Sequence, residues 1–435
     1  MERSQSSRGI LVLAAACMLV ASSAAAAHGQ SGSATAAGSS VSSVQSPGPN
    51  QGAPTVASSD SIQVTVHGAV QADGRAFLDG DHPQLPNTFL VRRARVYVDA
   101  TLHGWIGFRI MPDFAGGKLT LFDAYFEARF GKGFVVRAGK FKVPIGLERL
   151  QSGSDIRFVE RAFPTLLAPN RDVGVGVYGD LAKGRVWYAA SLTNGVPDGL
   201  SGDTDADRGK DVAARVTVQP WDQTRAKRLG VLTVGFGGSW GQARGTPSLP
   251  GLPVVDLTGI ETVIRFRSGS SADASVVAGG TRARVSPQAT YYRGPFGMMA
   301  EYIATSEDLV KGEVRARRSM NAWQLAGSWI LTGEANSYKG VTPNRPLVPG
   351  SGHWGAVELA ARYTRLGVGS SVFPVFADPA VTVRSAEAVG VAINWYWNPS
   401  VKVVLDYERV AFVGGAAVGN RPTAHMLLGR LQCWF

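Results

Sequence analysis
Residues 89–105 read FLVRRARVYVDATLHGW. Taken alternately, Leu90, Arg92, Ala94, Val96, Val98, Ala100 and Leu102 form one set. Val91, Arg93, Arg95, Tyr97, Asp99 and Thr101 form the other. A period of two specifies an extended strand rather than a helix. Apart from Arg92, the first face is apolar, while the second carries charge. The pattern returns in LTLFDAYFEARF (119–130), which sets Phe122, Ala124, Phe126 and Ala128 against Asp123, Tyr125, Glu127 and Arg129. It returns again in SVKVVLDYERV (400–410), which sets Val401, Val403, Leu405 and Tyr407 against Lys402, Asp406 and Glu408. Few segments have a helical period. The charged faces therefore point either to bulk water or to the inside of a closed wall.

The connections bear on that choice. Short ones, HG (103–104), GKG (131–133), AKG (182–184), GPFG (294–297) and NPS (398–400), alternate with long ones at 72–88, 142–172, 195–210 and 242–281. Tight turns at one end and long loops at the other are the rhythm of a transmembrane barrel. Trp105, Phe130, Phe134, Trp187, Trp395 and Trp397 lie beside the short turns and are expected to form an interfacial girdle. A single-chain barrel needs an even strand number when both ends lie on one side. The misfit run ETVIRFRS (261–268) is therefore assigned to an external loop, which leaves about 16 strands. The connection 334–353 then falls on the periplasmic side. The last strand, HMLLGRLQCWF, alternates and closes on Phe435. In lipid no water satisfies backbone groups, so such a sheet must close on itself with its polar face inward. The expected fold is all-β, a transmembrane antiparallel β-barrel with a signal peptide and a disordered N-terminal linker. A soluble β-sandwich is the competing fold, but sandwiches seldom run to this many long strands.

MERSQSSRG followed by ILVLAAACMLVASSAAAA has the charged, apolar and small-residue zones of a secretory signal peptide, expected over 1–27. Residues 28–60 are Gly, Ser, Ala and Pro with almost no large apolar side chains, and predict a disordered linker. The barrel domain is then 61–435. Cys17 would leave with the signal, so Cys433 has no internal disulfide partner. The formal net charge of +11 points to an anionic partner. Its cations are scattered along strands rather than gathered in one run, so nucleic acid is not expected.

Several stretches resemble the phosphate-selective porins O and P of Gram-negative outer membranes. They are VRRARVYVDATLHG (91–104), FDAYFEARFGKGFVVRAGKFKVPIGLE (122–148), RFVERAF (157–163), PNRDVGVGVYG (169–179), SYKGVTPNRP (337–346) and INWYWNPSVKVVLDY (393–407). The resemblance implies a homotrimer of barrels, each with an anion-conducting pore narrowed by its third external loop. Here that loop is 142–172, whose cations are Lys142, Arg149, Arg157, Arg161 and Arg171. By matching motif, Arg92 and Arg93 stand for the strand arginines of the family's phosphate site and Asp123 for its aspartate. Arg149 stands where a lysine is expected, Ser152 for the first loop serine and Arg161 for the loop arginine. Gly153 occupies the place of a second serine. Strict alternation puts Arg92 on the face opposite Arg93, so only Arg93 and Arg95 are expected in the lumen unless the strand bends.

Arginine suits the task because its planar, permanently charged fork grips oxyanions and is less strongly hydrated than lysine. The expected function is passive diffusion of small inorganic or organic anions, phosphate or polyphosphate among them, across the bacterial outer membrane. Outer-membrane lipid and lipopolysaccharide are the expected surroundings. The alternatives are a general diffusion porin of weak ion preference and a non-conducting structural or adhesive barrel. No cofactor, metal or catalysis is expected. DGLSGDTDADRGKD (198–211) lacks the glycine and closing glutamate of a calcium loop, the six histidines lack metal-ligand spacing, and no GxSxG or HExxH occurs.

Overall fold
The computed structural model describes residues 54–435 apart from 59–60, 79–86, 206, 254, 258–260 and 272. The expected signal peptide and most of the expected linker lie outside the described residues. Sixteen antiparallel strands form a closed ring. They are β1 (Ile62–Phe77), β2 (Thr88–Leu102), β3 (Ile106–Asp113), β4 (Thr120–Arg129), β5 (Val135–Lys142), β6 (Arg171–Leu181), β7 (Val186–Thr193) and β8 (Asp211–Val218). The ring continues through β9 (Val231–Arg244), β10 (Val277–Arg293), β11 (Phe296–Lys311), β12 (Val314–Ile330), β13 (Ala356–Val368), β14 (Val383–Asn398), β15 (Val401–Gly414) and β16 (Ala424–Trp434). Each pairs with its neighbours in sequence, and β16 closes on β1 with Met426 opposite Phe77 and Trp434 opposite Ala69. No described helix is long and apolar enough to cross a membrane. The barrel crosses with strands, whose backbone ladders close around the ring.

The ring places the C-terminal ends of β1, β3, β5, β7, β9, β11, β13 and β15 at one end, where the described connections include 114–119, 143–170, 312–313, 369–382 and 415–423. The connections that follow the even-numbered strands lie at the end that carries both chain termini. Run 261–268 is indeed outside the ring, since Glu261–Ile264 forms a hairpin with Val255–Leu257 inside a loop. Two boundaries differ from expectation. Strand β1 continues through 72–77, which were expected to be loop, because both its neighbours pair there. Thr55–Ser58, from the expected linker, pairs with Gln63–Thr65 of β1.

The outer face is apolar, with Phe89, Phe126, Val212, Trp240, Leu325 and Ile393 all exposed, as a lipid-facing wall requires. At the termini end Trp105, Phe130 and Phe134 form a girdle, joined by Phe296 and Trp329 stacked at 5.6 Å. Trp187 is not part of it. Its ring is 5% exposed and lies under the Arg215 guanidinium inside the barrel.

The interior is divided in two. On the β11–β16 side, several inward residues are apolar: Ile303, Met320, Leu366, Val404, Phe412 and Met426 are all buried. Phe158, Phe163 and Leu167 of the 143–170 loop, with Val263 and Ile264 of the hairpin, pack onto them as a true core. Ala386, Ala388, Gly390 and Ala392 of β14 make room, and a Cβ on Gly390 would stand 3.3 Å from the Phe158 ring. Each phenylalanine so buried contributes roughly 1.5–3 kcal/mol. The β1–β8 side carries many inward charges, Arg93, Arg109, Glu127 and Arg137 among them, beside a smaller aromatic cluster of Tyr125, Phe141, Tyr178 and Trp187.

Closure depends on a notch at Gly68. A Cβ there would lie 2.3 Å from the Phe435 ring, and the two residues exchange backbone hydrogen bonds of 3.1 Å. Gly68→Val is expected to displace Phe435 and weaken the β1–β16 seam by about 1–3 kcal/mol. A lowered urea midpoint and a smaller folded fraction by heat-modifiable gel mobility would show it, whereas an unchanged midpoint would dismiss the notch.

Candidate functional site
The 143–170 loop runs from β5 to β6 across the lumen and is tied at its base by Val143 N–H donating to Asn170 O at 3.0 Å. Its back is pinned to the β11–β16 wall. Glu301 accepts from the backbone N–H of Leu147 at 2.5 Å and of Glu148 at 3.2 Å, and from Gln324. Asp406 accepts from Val159 N–H at 3.1 Å, Lys402 donates to Ile156 O at 2.9 Å, and Asn394 donates to Arg157 O at 2.9 Å. From the termini end, the 331–355 connection reaches inward to meet the loop. Tyr338 donates to Leu147 O at 2.5 Å, and Gln151 donates to Tyr338 O at 2.6 Å. Opposed connections thus meet inside the barrel and narrow the lumen. Glu301→Ala would leave two buried N–H groups without their acceptor, at about 1–3 kcal/mol each. The expected result is a loosened loop, seen as higher and noisier single-channel conductance; conductance identical to wild type would remove Glu301 as an anchor.

The loop front meets the pore side at a β-bulge. Gln71 pairs with Arg93 but Ala72 pairs with Val91, so Arg92 is an extra residue in β2. Bulges re-aim side chains, and here both arginines face inward while Phe89, Val91 and Val96 stay exposed on the lipid side. This corrects the strict alternation that had placed Arg92 outward. Arg92 donates to Glu160 at 3.1 Å, and Arg93 to Gln71. A second bulge lies in β4, where Met111 pairs with Asp123 and Pro112 with Leu121. The extra residue, Phe122, is turned to the lumen rather than to lipid, and the guanidiniums of Arg95 and Arg171 stack over it at 4.3 and 4.6 Å.

The expected site residues separate into two groups. Arg92, Arg93, Lys142, Arg149, Ser152 and Arg161 gather around the loop. Lys142 donates to Leu150 O and Gln151 O at 3.0 and 3.1 Å. Arg149 donates to Thr165 O, and Arg161 to Glu148 O and Gln151 O at 3.0 and 2.8 Å. The other three are locked in ion pairs. Arg95 pairs with Asp113 at 2.7 Å and Asp123 accepts from Arg171 at 2.7 Å. Arg157 sits on the loop's back, 7% exposed, bound to Glu358 at 2.7 Å and to Asn336. It is an anchor there and not a pore-lining group.

Gly153 has a reason in this geometry. A Cβ would come within 3.1 Å of the Arg93 guanidinium carbon, so glycine lets that guanidinium lie against the loop. The second hydroxyl is one residue on: Ser154 Oγ lies 2.8 Å from Ser152 Oγ. Sequence reasoning missed Ser154 and also Glu160, which binds Arg75 at 2.6 Å as well as Arg92. The serine in SGSD was a visible signal, whereas nothing near Glu160 in sequence announces partners on β1 and β2.

Charge in the loop is tuned by burial. Burial lowers the Arg149 guanidinium to about 9, with Arg161 and Arg171 adding to the effect. Burial would raise the Glu160 carboxyl, but the guanidiniums of Arg92, Arg430 and Arg75 bring it down to about 2. Burial raises Asp155 to about 6, against the hydrogen bond from Ser154 and the pull of Lys402, Lys339 and Lys142. Asp155 is therefore charged at neutral pH and loses that charge as pH falls through 6. Removing an anion from the constriction favours anions, so the anion-to-cation permeability ratio is expected to rise between pH 7 and pH 5. Reversal potentials measured across that range check this, and Asp155→Asn should flatten the curve at its acid value.

Elsewhere the lumen wall is largely neutralised. Arg109 pairs with Asp99, Arg137 and Arg129 with Glu127, Arg362 with Glu408, and Arg430 with Asp73. Among the described residues no cluster of His, Cys, Asp or Glu has the arrangement of a metal site.

A closed barrel with a lipid-facing wall, an inward loop and a lumen lined by charged and polar side chains defines an outer-membrane diffusion porin. The model of the family phosphate-selective porin O and P matches residues 64–432, and the chain belongs to that family. No curated protein matches the sequence. Solved structures share the fold at low identity. In-vitro folded OmpT, an outer membrane protein of Vibrio cholerae, aligns at 11% identity over 88% of this chain and 100% of its own, with a TM-score of 0.54. The outer membrane channel DcaP of Acinetobacter baumannii aligns at 12% identity over 88% and 99%, with a TM-score of 0.55. OmpF of Salmonella typhi, in complex with daunomycin, aligns at 9% identity over 86% and 98%, with a TM-score of 0.53.

Proposed function
We propose that the pore favours anions, and that oxyanions of the phosphate class dwell at the front of the 143–170 loop before passing down their gradient. What carries this reading is the contrast in partners. Most wall cations face carboxylates, whereas Arg93, Arg149 and Arg161, clustered at the loop, donate to neutral amide and carbonyl oxygens. Among the described residues none of these three makes a direct ion pair with a carboxylate, so each keeps donor capacity where the loop crosses the lumen. Ser152 and Ser154 add hydroxyl donors, and guanidinium forks match oxyanion geometry. Exit requires that no single contact be strong, which suits cations already sharing their donors with the loop backbone. Transport on this reading is passive, with no bond made or broken. The family's description supports the phosphate class.

A second reading, general diffusion with weak ion preference, is favoured by the many ion pairs along the wall. Planar-bilayer reversal potentials separate the two. Replacing Arg93 and Arg161 by Gln is expected to lower the anion-to-cation ratio about fivefold per lost charge, as ~1 kcal/mol at water-like screening gives. An unchanged ratio would favour general diffusion. Millimolar phosphate added to chloride should reduce the current of the wild type and not of the double variant.

The oligomer is proposed to be a homotrimer, in line with the family resemblance and with the trimer form recorded for OmpT of Vibrio cholerae. The mass of the native particle tests it.

A further inference from the structure
At the termini end, three neighbouring turns hold charge that the pore does not use. Segments 130–134, 182–185 and 219–230 contain Lys132, Lys183, Arg185, Arg225, Lys227 and Arg228, all exposed. Their one acid, Asp222, caps the helix Gln223–Leu229 by accepting from Arg225 N–H at 2.9 Å. Among the described residues none of the six cations meets a carboxylate within ion-pair distance. The turns are joined to one another. Asp180 N–H donates to Lys132 O at 2.8 Å, Tyr188 to Gly133 O at 2.9 Å, and Gln219 N–H to Arg185 O at 2.7 Å. The cations therefore form one continuous rim. The other short turns at this end, 103–105, 294–295 and 399–400, have no Lys, Arg, Asp or Glu.

The same tips expose apolar side chains. Phe130, Phe134, Leu181 and Leu229 are each 46–66% exposed. Cations set beside exposed apolar groups at the edge of a lipid-facing wall are the pattern of a surface that sits in the headgroup layer. Long basic side chains there keep their stems in the apolar layer and their charge at the phosphates. The termini end of such a barrel faces the periplasm, where the adjoining leaflet presents phospholipid phosphodiesters.

We propose that this rim is a binding surface for anionic phospholipid headgroups of the periplasmic leaflet, of the phosphatidylglycerol and cardiolipin class. Zwitterionic phospholipid binds it less, because its amine cancels the phosphate charge. The rim lies on the outside of the termini end, so the proposal is independent of which ion the pore prefers.

The test is native mass spectrometry of the purified full-length porin in micelles doped with phosphatidylglycerol or, separately, with phosphatidylethanolamine. Wild type should retain phosphatidylglycerol in preference. K183Q/R185Q/R225Q/K227Q/R228Q should hold it at least about tenfold less, since each cation near a charged lipid surface adds to the attraction. K118Q/R244Q/R315Q, which removes exposed cations from the opposite end, should behave as wild type. Heat-modifiable gel mobility and unchanged conductance certify folding. Should the fivefold variant not fold, K183Q/R185Q, outside the helix, carries the test with a smaller loss. Equal retention of both lipids, or full retention by the variants, overturns the proposal. So does displacement of phosphatidylglycerol by millimolar inorganic phosphate, which would assign the rim to soluble anions.

Discussion
A peptide group in hydrocarbon must find its hydrogen-bond partner within the protein, and every other feature of this molecule depends on that requirement. Sixteen strands meet it only by closing, and closing forces each strand to show one face to lipid and the other to the lumen. The seam where β16 meets β1 is therefore as structural as any core. It is sealed by Phe435 lying over a residue without a side chain, Gly68.

Closure creates an interior too wide to be filled by wall side chains alone. The chain fills part of it with apolar packing between the 143–170 loop and β11–β16, and lines the rest with charged and polar side chains. The 143–170 loop takes part in both. Its phenylalanines join a core with β11–β16, while Ser152, Ser154, Arg149 and Arg161 lie on its other side. Packing on one side holds the polar groups on the other in place. This resolves how a loop can present charge in water without collapsing onto the wall: its back is bound by Glu301, Asp406, Lys402 and Asn394.

The barrel and its strand number were legible because alternation and turn rhythm are local signals, whereas the inward turn of the third loop was implied by the family resemblance. Segment 119–130 announces its own two faces, save at Phe122. What escaped was set by partners distant in sequence. Arg157 looked like a pore cation and is an anchor because Glu358, 201 positions away, stands behind it. Trp187 looked interfacial, but an aromatic beside a turn fits a girdle or a lumen equally well. The apolar inner wall left a trace, since β14 and β16 carry Ala, Val, Met and Leu on both faces, a sign that something apolar lies within.

The bulge at Arg92 has an evolutionary reading. Val91 and Arg93 would alternate regularly if Arg92 were absent, because the strand on either side of it already keeps its lipid-facing residues outward. A single inserted codon at such a point adds one charge to the channel and leaves the lipid-facing surface as it was. Barrel walls can thus gain or shed pore charges one at a time, by insertion rather than by substitution, without passing through an intermediate that turns a cation toward the membrane.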